Sequence, residues 1–184
     1  MMREVSDRSI LDDFAIRFSK VVEKHAVYVI VSGFVVISSG RARGTEDIDM
    51  IIGRLSKGEF GRLHEDLIKG GFVCQQSDKV NEVYSYLKDN LSVRYTLDDI
   101  PLPEMELKFV VDELDEYQLK TRKKLSETGL DLYFSSIEMN VAFKEEYLKS
   151  PKDLEDAKHL RMVYSIDEKE VEKIKQMLLR FRLK

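Results

Sequence analysis

Arg43-Gly44-Thr45-Glu46-Asp47-Ile48-Asp49-Met50-Ile51-Ile52 decides how this chain is read. Apolar residues follow and separate the two aspartates, so Ile48 to Ile52 reads as a buried strand. Residues two apart on a strand point to the same face. Asp47 and Asp49 therefore project side by side and repel each other unless a cation lies between them. Carboxylate oxygens of this kind suit Mg²⁺, which takes one or two carboxylates together with substrate phosphates. The alternative is a solubilising pair on an exposed strand face.

The upstream residues weigh on that choice. Val27-Tyr28-Val29-Ile30-Val31 reads as a short buried strand running into Ser32-Gly33 and then a small helix, Phe34 to Ser39. Gly33 permits close approach of the backbone to a phosphate, and a helix start behind it offers N–H groups. One strand thus ends in a phosphate-cradling turn, and the next carries two candidate metal ligands.

Ser32-Gly33 followed by Gly40-x-x-Arg43-x-Thr45-x-Asp47-Ile48-Asp49 resembles the signature of the polymerase-β-type nucleotidyltransferases. Ser32 stands where many members carry a first glycine. The resemblance implies triphosphate binding by Ser32 and Gly33 and metal binding by Asp47 and Asp49. Arg43 and Thr45 would lie near the nucleotide. It also asks for a third carboxylate on a later strand. Met105-Glu106-Leu107-Lys108-Phe109 supplies Glu106, with Glu106 and Lys108 on one face and Met105, Leu107 and Phe109 on the other. Glu106 would then activate the attacking hydroxyl and help hold the metal. Otherwise it is a surface acid paired with Lys108. Asp112 is the fallback, and Asp98-Asp99 before Pro101 reads as a turn.

A second block lies further along. Ser135 to Glu138 has capping-box spacing, and Ser150-Pro151 places a cap before a proline at the first helical position. Two helices follow, 136–149 and 151–164. Asp153 and Asp156 share a face near the second helix's start, where the dipole favours acids. Lys144, Lys152, Asp153 and Asp156 also resemble the helix lysine and Lys-Asp-x-x-Asp motif of the abortive-infection class of nucleotidyltransferase toxins. That resemblance would make Lys144 and Asp153 catalytic and would point to a tRNA or protein acceptor and a cognate antitoxin.

The remainder completes an α+β layout. A helix opened by Ser6 carries Ile10, Leu11, Phe14, Phe18, Val21 and Val22 on one side. Ser56 to Glu59 is a capping box for a helix ending at Gly70-Gly71. Strands are expected near 72–75, 83–87, 91–97 and 105–112. The stretch 113–135 is less regular, with room for a hairpin, and a last helix spans 167–182. The expected architecture is a mixed-sheet nucleotidyltransferase core flanked by helices, residues 1–112. Residues 113–184 form a hairpin and helical C-terminal part packed on it.

Composition bounds the partners. A formal net charge of −4 over 184 residues argues against a protein that coats nucleic acid. Lys120-Thr121-Arg122-Lys123-Lys124 is the best local basic patch and reads as a solvated face. No apolar run is long enough to cross a membrane, and there is no signal peptide. Cys74 has no disulfide partner, and the three histidines do not group with it as zinc ligands. A cytoplasmic setting is expected. The function expected is transfer of NMP from an NTP, with Mg²⁺ or Mn²⁺, to a hydroxyl of RNA, protein or a small molecule. The competing class is a non-catalytic nucleotide-binding or antitoxin-like partner with the same fold.

Overall fold

The computed structural model describes residues 9–42, 44 and 47–182. Arg43 and Thr45 lie outside them, as does Ser6. The first helix, α1 (Ile10–Val22), is capped by Ser9, whose side chain accepts from the Asp12 N–H while Asp12 answers the Ser9 N–H. This reciprocal pairing satisfies two N–H groups that the helix cannot.

Among the described residues, seven strands make one mixed sheet: β1 (Tyr28–Val31), β2 (Asp47–Ile52), β3 (Phe72–Cys74), β4 (Val93–Leu97), β5 (Ile100–Phe109), β6 (Lys123–Lys124) and β7 (Tyr133–Phe134). Their order is β3-β4-β5-β2-β1-β7-β6. The aspartate strand β2 is central, antiparallel to β1 and parallel to β5. Alternation decides what each face does. Ile48, Met50 and Ile52 on β2, with Met105, Leu107 and Phe109 on β5, are buried on one face. Helices α1 and α3 (Lys57–Lys69) cover that face: Phe18 packs on Tyr95, and Phe60 meets Phe109 edge-on. The other face carries Asp49, Ile51, Glu106 and Lys108, and the C-terminal helices enclose a cleft over it.

Those elements are α5 (Glu113–Lys120), α6 (Ile137–Ala142), a π-helical turn Phe143–Leu148, α7 (Pro151–Val163) and α8 (Glu168–Arg182). Residues 113–120 are thus more regular than the sequence suggested. Asp112 is the reason: its carboxylate accepts from the Leu114 and Asp115 N–H groups at 2.9 Å each and starts α5. The expected hairpin follows as β6 and β7. The cap of α6 is Ser136 rather than Ser135, through the Met139 N–H. The Ser150 cap and the Ser56 capping box are present as expected.

One expected element is wrong. Residues 83–87 belong to a helix, α4 (Val80–Lys88), not a strand. The spacing Val80, Val83, Tyr84, Leu87 is helical, and Val83 and Leu87 are its buried positions. Tyr84 reaches the core at Phe60 and Phe109, whereas Tyr86 points outward. The 120–124 patch is answered locally by acids: Lys120 pairs with Glu116, Lys123 with Glu138 and Lys124 with Asp131. Among the described residues, no helix is long and apolar enough to cross a membrane.

Candidate active site

Parallel register sets the site. Asp49 lies opposite Glu106 and Asp47 opposite Glu104, so four acids of β2 and β5 share one face. Val31, the last residue of β1, pairs with Asp49 across the other edge and brings the Ser32-Gly33 turn to the same place. Ser32 adopts φ 66° and ψ −132°. That backbone region is taken freely by glycine and only under strain by other residues. This marks Ser32 as a strained residue at the cleft wall. Helix α2 (Gly33–Ser38) begins immediately after it.

A cleft of about 420 Å³ opens over this face. Ser32, Asp49 and Glu106 line its sheet side, and Gln118, Asn140 and Lys144 line its helical side. The Asp49 carboxyl is pushed up from its ordinary value. Burial is the main cause, the charges of Glu106 and Asp47 add to it, and a hydrogen bond from Ser32 opposes it. Glu104 is pushed up as well, by burial and by Asp47, with Arg94 opposing. In both groups burial comes first and the neighbouring acids add to it, so each carboxyl is harder to ionise than in water.

Glu106 is held on both oxygens. The Ser92 hydroxyl donates to Oε1 at 2.8 Å, and Arg94 Nη2 donates to Oε2 at 3.1 Å. Arg94 Nε also meets Glu104 at 2.9 Å. Lys108 is not the partner of Glu106: it pairs with Asp115 across the cleft at 2.9 Å. Among the described residues, no group of three or more His, Cys, Asp or Glu side chains is arranged to hold a metal ion. The chemistry of the donor set nonetheless suits a divalent cation. Asp47 and Asp49 are oxygen donors on one face, and Asp49, raised mainly by burial and then by the charge of Glu106, would ionise more readily beside a cation. Glu106, opposite Asp49 in the register, would be the third carboxylate of such a set.

The helical block forms a second charged cluster. Lys144 is 3 % exposed, lines the cleft, and places its ammonium 3.0 Å from Asp156 Oδ2 and 3.3 Å from Asp153 Oδ1. Asp156 is fully buried and also pairs with Arg41 Nε at 3.2 Å. Asp153 and Asp156 are not part of the cleft wall; they hold the lysine that is. Asp153 is in addition the third residue of α7, bonded to the Ser150 cap. Its carboxyl is held below the ordinary range, by Ser150 and Lys144 together and against its partial burial. Arg41 lies on the connection that leads into β2. Ser39 on the same connection is bonded by His159 at its carbonyl and by Tyr164 at its hydroxyl. Helix α7 and the residue after it thus clamp the segment in front of the aspartates.

Three features lay outside the sequence reading: Arg94 and Ser92 on Glu106, Arg41 on Asp156, and the cleft-lining pair Gln118 and Asn140. A strand position of Arg94 two residues before Thr96 was the only available signal, and the β4–β5 register was needed to use it.

No family model and no curated protein matches the chain. Solved structures do match in fold. ANT(2")-Ia in complex with adenylyl-2"-tobramycin is 16% identical over 96% of this chain and 100% of that one, with a TM-score of 0.57. The solution structure of the antibiotic-resistance factor ANT(2'')-Ia is also 16% identical, over 94% of each chain, with a TM-score of 0.55. An antigenic nucleotidyltransferase-like protein from Paracoccidioides brasiliensis is 17% identical over 95% of this chain and 90% of that one, with a TM-score of 0.55. The α+β mixed-sheet fold expected from the sequence is the one observed, and it is the fold of nucleotidyltransferases.

Proposed function

We propose that this chain is a metal-dependent nucleotidyltransferase that moves NMP from an NTP to a hydroxyl acceptor. The observation that carries this reading is the placing of Asp47 and Asp49 on β2 and Glu106 on β5 on one sheet face, with Asp49, Glu106 and Ser32 lining the cleft above it. A row of carboxylates on one face beside the Ser32-Gly33 turn is suited to a cation-bound triphosphate.

The acceptor oxygen attacks the α-phosphorus, the bond from that phosphorus to the bridging oxygen breaks, and pyrophosphate leaves. Glu106 takes the acceptor's proton, oriented by Ser92 and Arg94. Asp47 and Asp49 with Glu106 would hold Mg²⁺ or Mn²⁺, which would neutralise the phosphate charge. Ser32 and Gly33 position the phosphates, and by the motif resemblance Arg43 and Thr45 contact the nucleotide. Lys144 faces the cleft with Asp153 and Asp156 behind it.

The acceptor we favour is a small molecule. Among the described residues, the cations lining the cleft, Lys108 and Lys144, are paired with acids and form no basic track for RNA. ANT(2")-Ia, of similar fold, binds adenylyl-2"-tobramycin, a small molecule that carries an adenylyl group. The resemblance of the helical block to toxin-like enzymes keeps a tRNA or protein acceptor, and an antitoxin partner, as the second reading. Incubation with each α-labelled NTP, Mg²⁺ and, separately, amino-sugar antibiotics, total RNA and cell protein distinguishes them. Label in the small-molecule fraction is expected. Label in RNA or protein favours the toxin-like branch, and no label or pyrophosphate with any NTP contradicts the transferase reading.

A further inference from the structure

The helical wall of the cleft carries two amides that both bond to Ser135. Asn140 is 5 % exposed and lines the cleft. Both hydrogens of its Nδ2 are used, donating to the Ser135 carbonyl at 3.2 Å and the Ser136 carbonyl at 2.9 Å. Two carbonyls on that side leave no room for the amide oxygen, so Oδ1 is turned the other way as an acceptor. Gln118, on α5, is fixed from the same residue: the Ser135 hydroxyl donates to its Oε1 at 3.0 Å. Its Nε2 hydrogens remain as donors. Ser135 thus leaves one acceptor from α6 and one donor from α5 for the space between them.

The rest of that wall is apolar and aromatic. The π-helical turn has more residues per turn than an α-helix, and such turns cluster at functional sites. Here it brings Phe143, Tyr147 and Leu148 to the cleft together with Lys144. Phe143 lies three residues after Asn140, on the same side of the helix, and its ring stacks on Tyr147 at 4.8 Å and 14°. The cations of the cleft are neutralised by Asp115, Asp153 and Asp156. This end is therefore poorly suited to phosphate and well suited to a flat, uncharged group with hydrogen-bonding edges.

We infer that Gln118 and Asn140, held by Ser135 beside the Phe143–Tyr147 stack, read the edge of the nucleobase of the incoming NTP and set which nucleotide this protein uses. The inference rests on the transferase reading and adds the specificity-determining residues to it. A base hydrogen-bonding edge presents a donor next to an acceptor. Amino bases place the donor outside the ring and keto bases place it within, so a fixed donor–acceptor pair accepts one class and leaves its own buried polar atoms unpaired with the other.

The test measures binding of ATP, CTP, GTP, UTP and inorganic tripolyphosphate, with Mg²⁺, to the wild type, Gln118→Leu and Tyr147→Ala. The wild type is expected to bind one class of base at least about tenfold more tightly than the other. Gln118→Leu removes most of that preference. Tyr147→Ala weakens every NTP by about tenfold, in line with the loss of one stacked base. Neither variant changes tripolyphosphate affinity. Equal affinity of the wild type for all four NTPs overturns the inference and leaves the transferase reading standing. So does unchanged NTP affinity in both variants; if transfer then fails, the amides face the acceptor instead. Absence of binding by all four NTPs and by tripolyphosphate overturns the transferase reading itself, and the inference with it.

Discussion

Two charged clusters meet at this cleft and solve opposite problems. In the helical cluster every acid has its cation: Asp156 lies between Lys144 and Arg41, and Asp153 shares Lys144 with the cap of α7. In the sheet cluster, Asp47, Asp49, Glu104 and Glu106 share one face, and Arg94 pairs with Glu104 and Glu106 at the β5 side. Burial, and then the charge of Glu106, raises the Asp49 carboxyl pKa. A balanced buried cluster holds structure together. A row of like charges on one face is held in place by the rest of the fold, and in the proposed reading it is what a cation-bound substrate would meet. The motif that resembles a catalytic Lys-Asp-x-x-Asp thus has a structural account complete in itself. The aspartate strand does not.

Breaking the helical cluster gives the largest effect on stability. Lys144→Met leaves Asp156 buried beside Arg41 with half of its compensation gone. Removal of one partner from a buried pair costs about 3–5 kcal/mol. Urea or thermal unfolding checks this. A Lys144→Met protein of near wild-type stability that has lost nucleotidyl transfer would move the lysine from scaffold to chemistry.

Arg94→Gln sharpens the other side of the comparison. Arg94 has a side chain 46% exposed, so its pairing with Glu104 and Glu106 contributes less than about 1 kcal/mol. Its loss concentrates negative charge on the row and frees Glu106. The expected result is a small fall in melting temperature with tighter Mn²⁺ binding by calorimetry. Weaker Mn²⁺ binding would show that the arginine organises the row instead of competing for it.

Ser32→Gly is expected to have the smallest effect. It relieves a backbone strain of about 1–3 kcal/mol, but glycine brings back chain entropy in the unfolded state and the hydrogen bond to Asp49 is lost. The net change is expected to be stabilising and within about 1 kcal/mol, read from the urea midpoint. A clear loss of stability would mean that the bond to Asp49 outweighs the strain.

Legibility in the sequence followed the range of the interactions involved. The strand Asp47–Ile52 was readable because alternation is local, and Glu106 because β5 repeats the same pattern. Ser56 and Ser150 announced their helices through contacts three residues away. Helix α4 was misread because tyrosines at 84 and 86 imitate alternation, while its core contacts, Phe60 and Phe109, lie more than twenty residues off on each side. Gln118 and Asn140 mean nothing until Ser135 joins them. Arg94 means nothing until β4 is set against β5.

Asp49→Asn tests the central claim most directly, because stability and transfer should move in opposite directions. A carboxyl whose pKa is raised on folding binds its proton more tightly in the folded chain. The protein therefore loses stability as pH rises from the ordinary aspartate value through the raised one, and that loss persists at neutral pH. Asparagine removes it. The account predicts a higher melting temperature than wild type at pH 7, a flatter dependence of stability on pH between 4 and 7, and no release of pyrophosphate from any NTP. Wild-type pyrophosphate release by Asp49→Asn, or a lower melting temperature at pH 7, would contradict it.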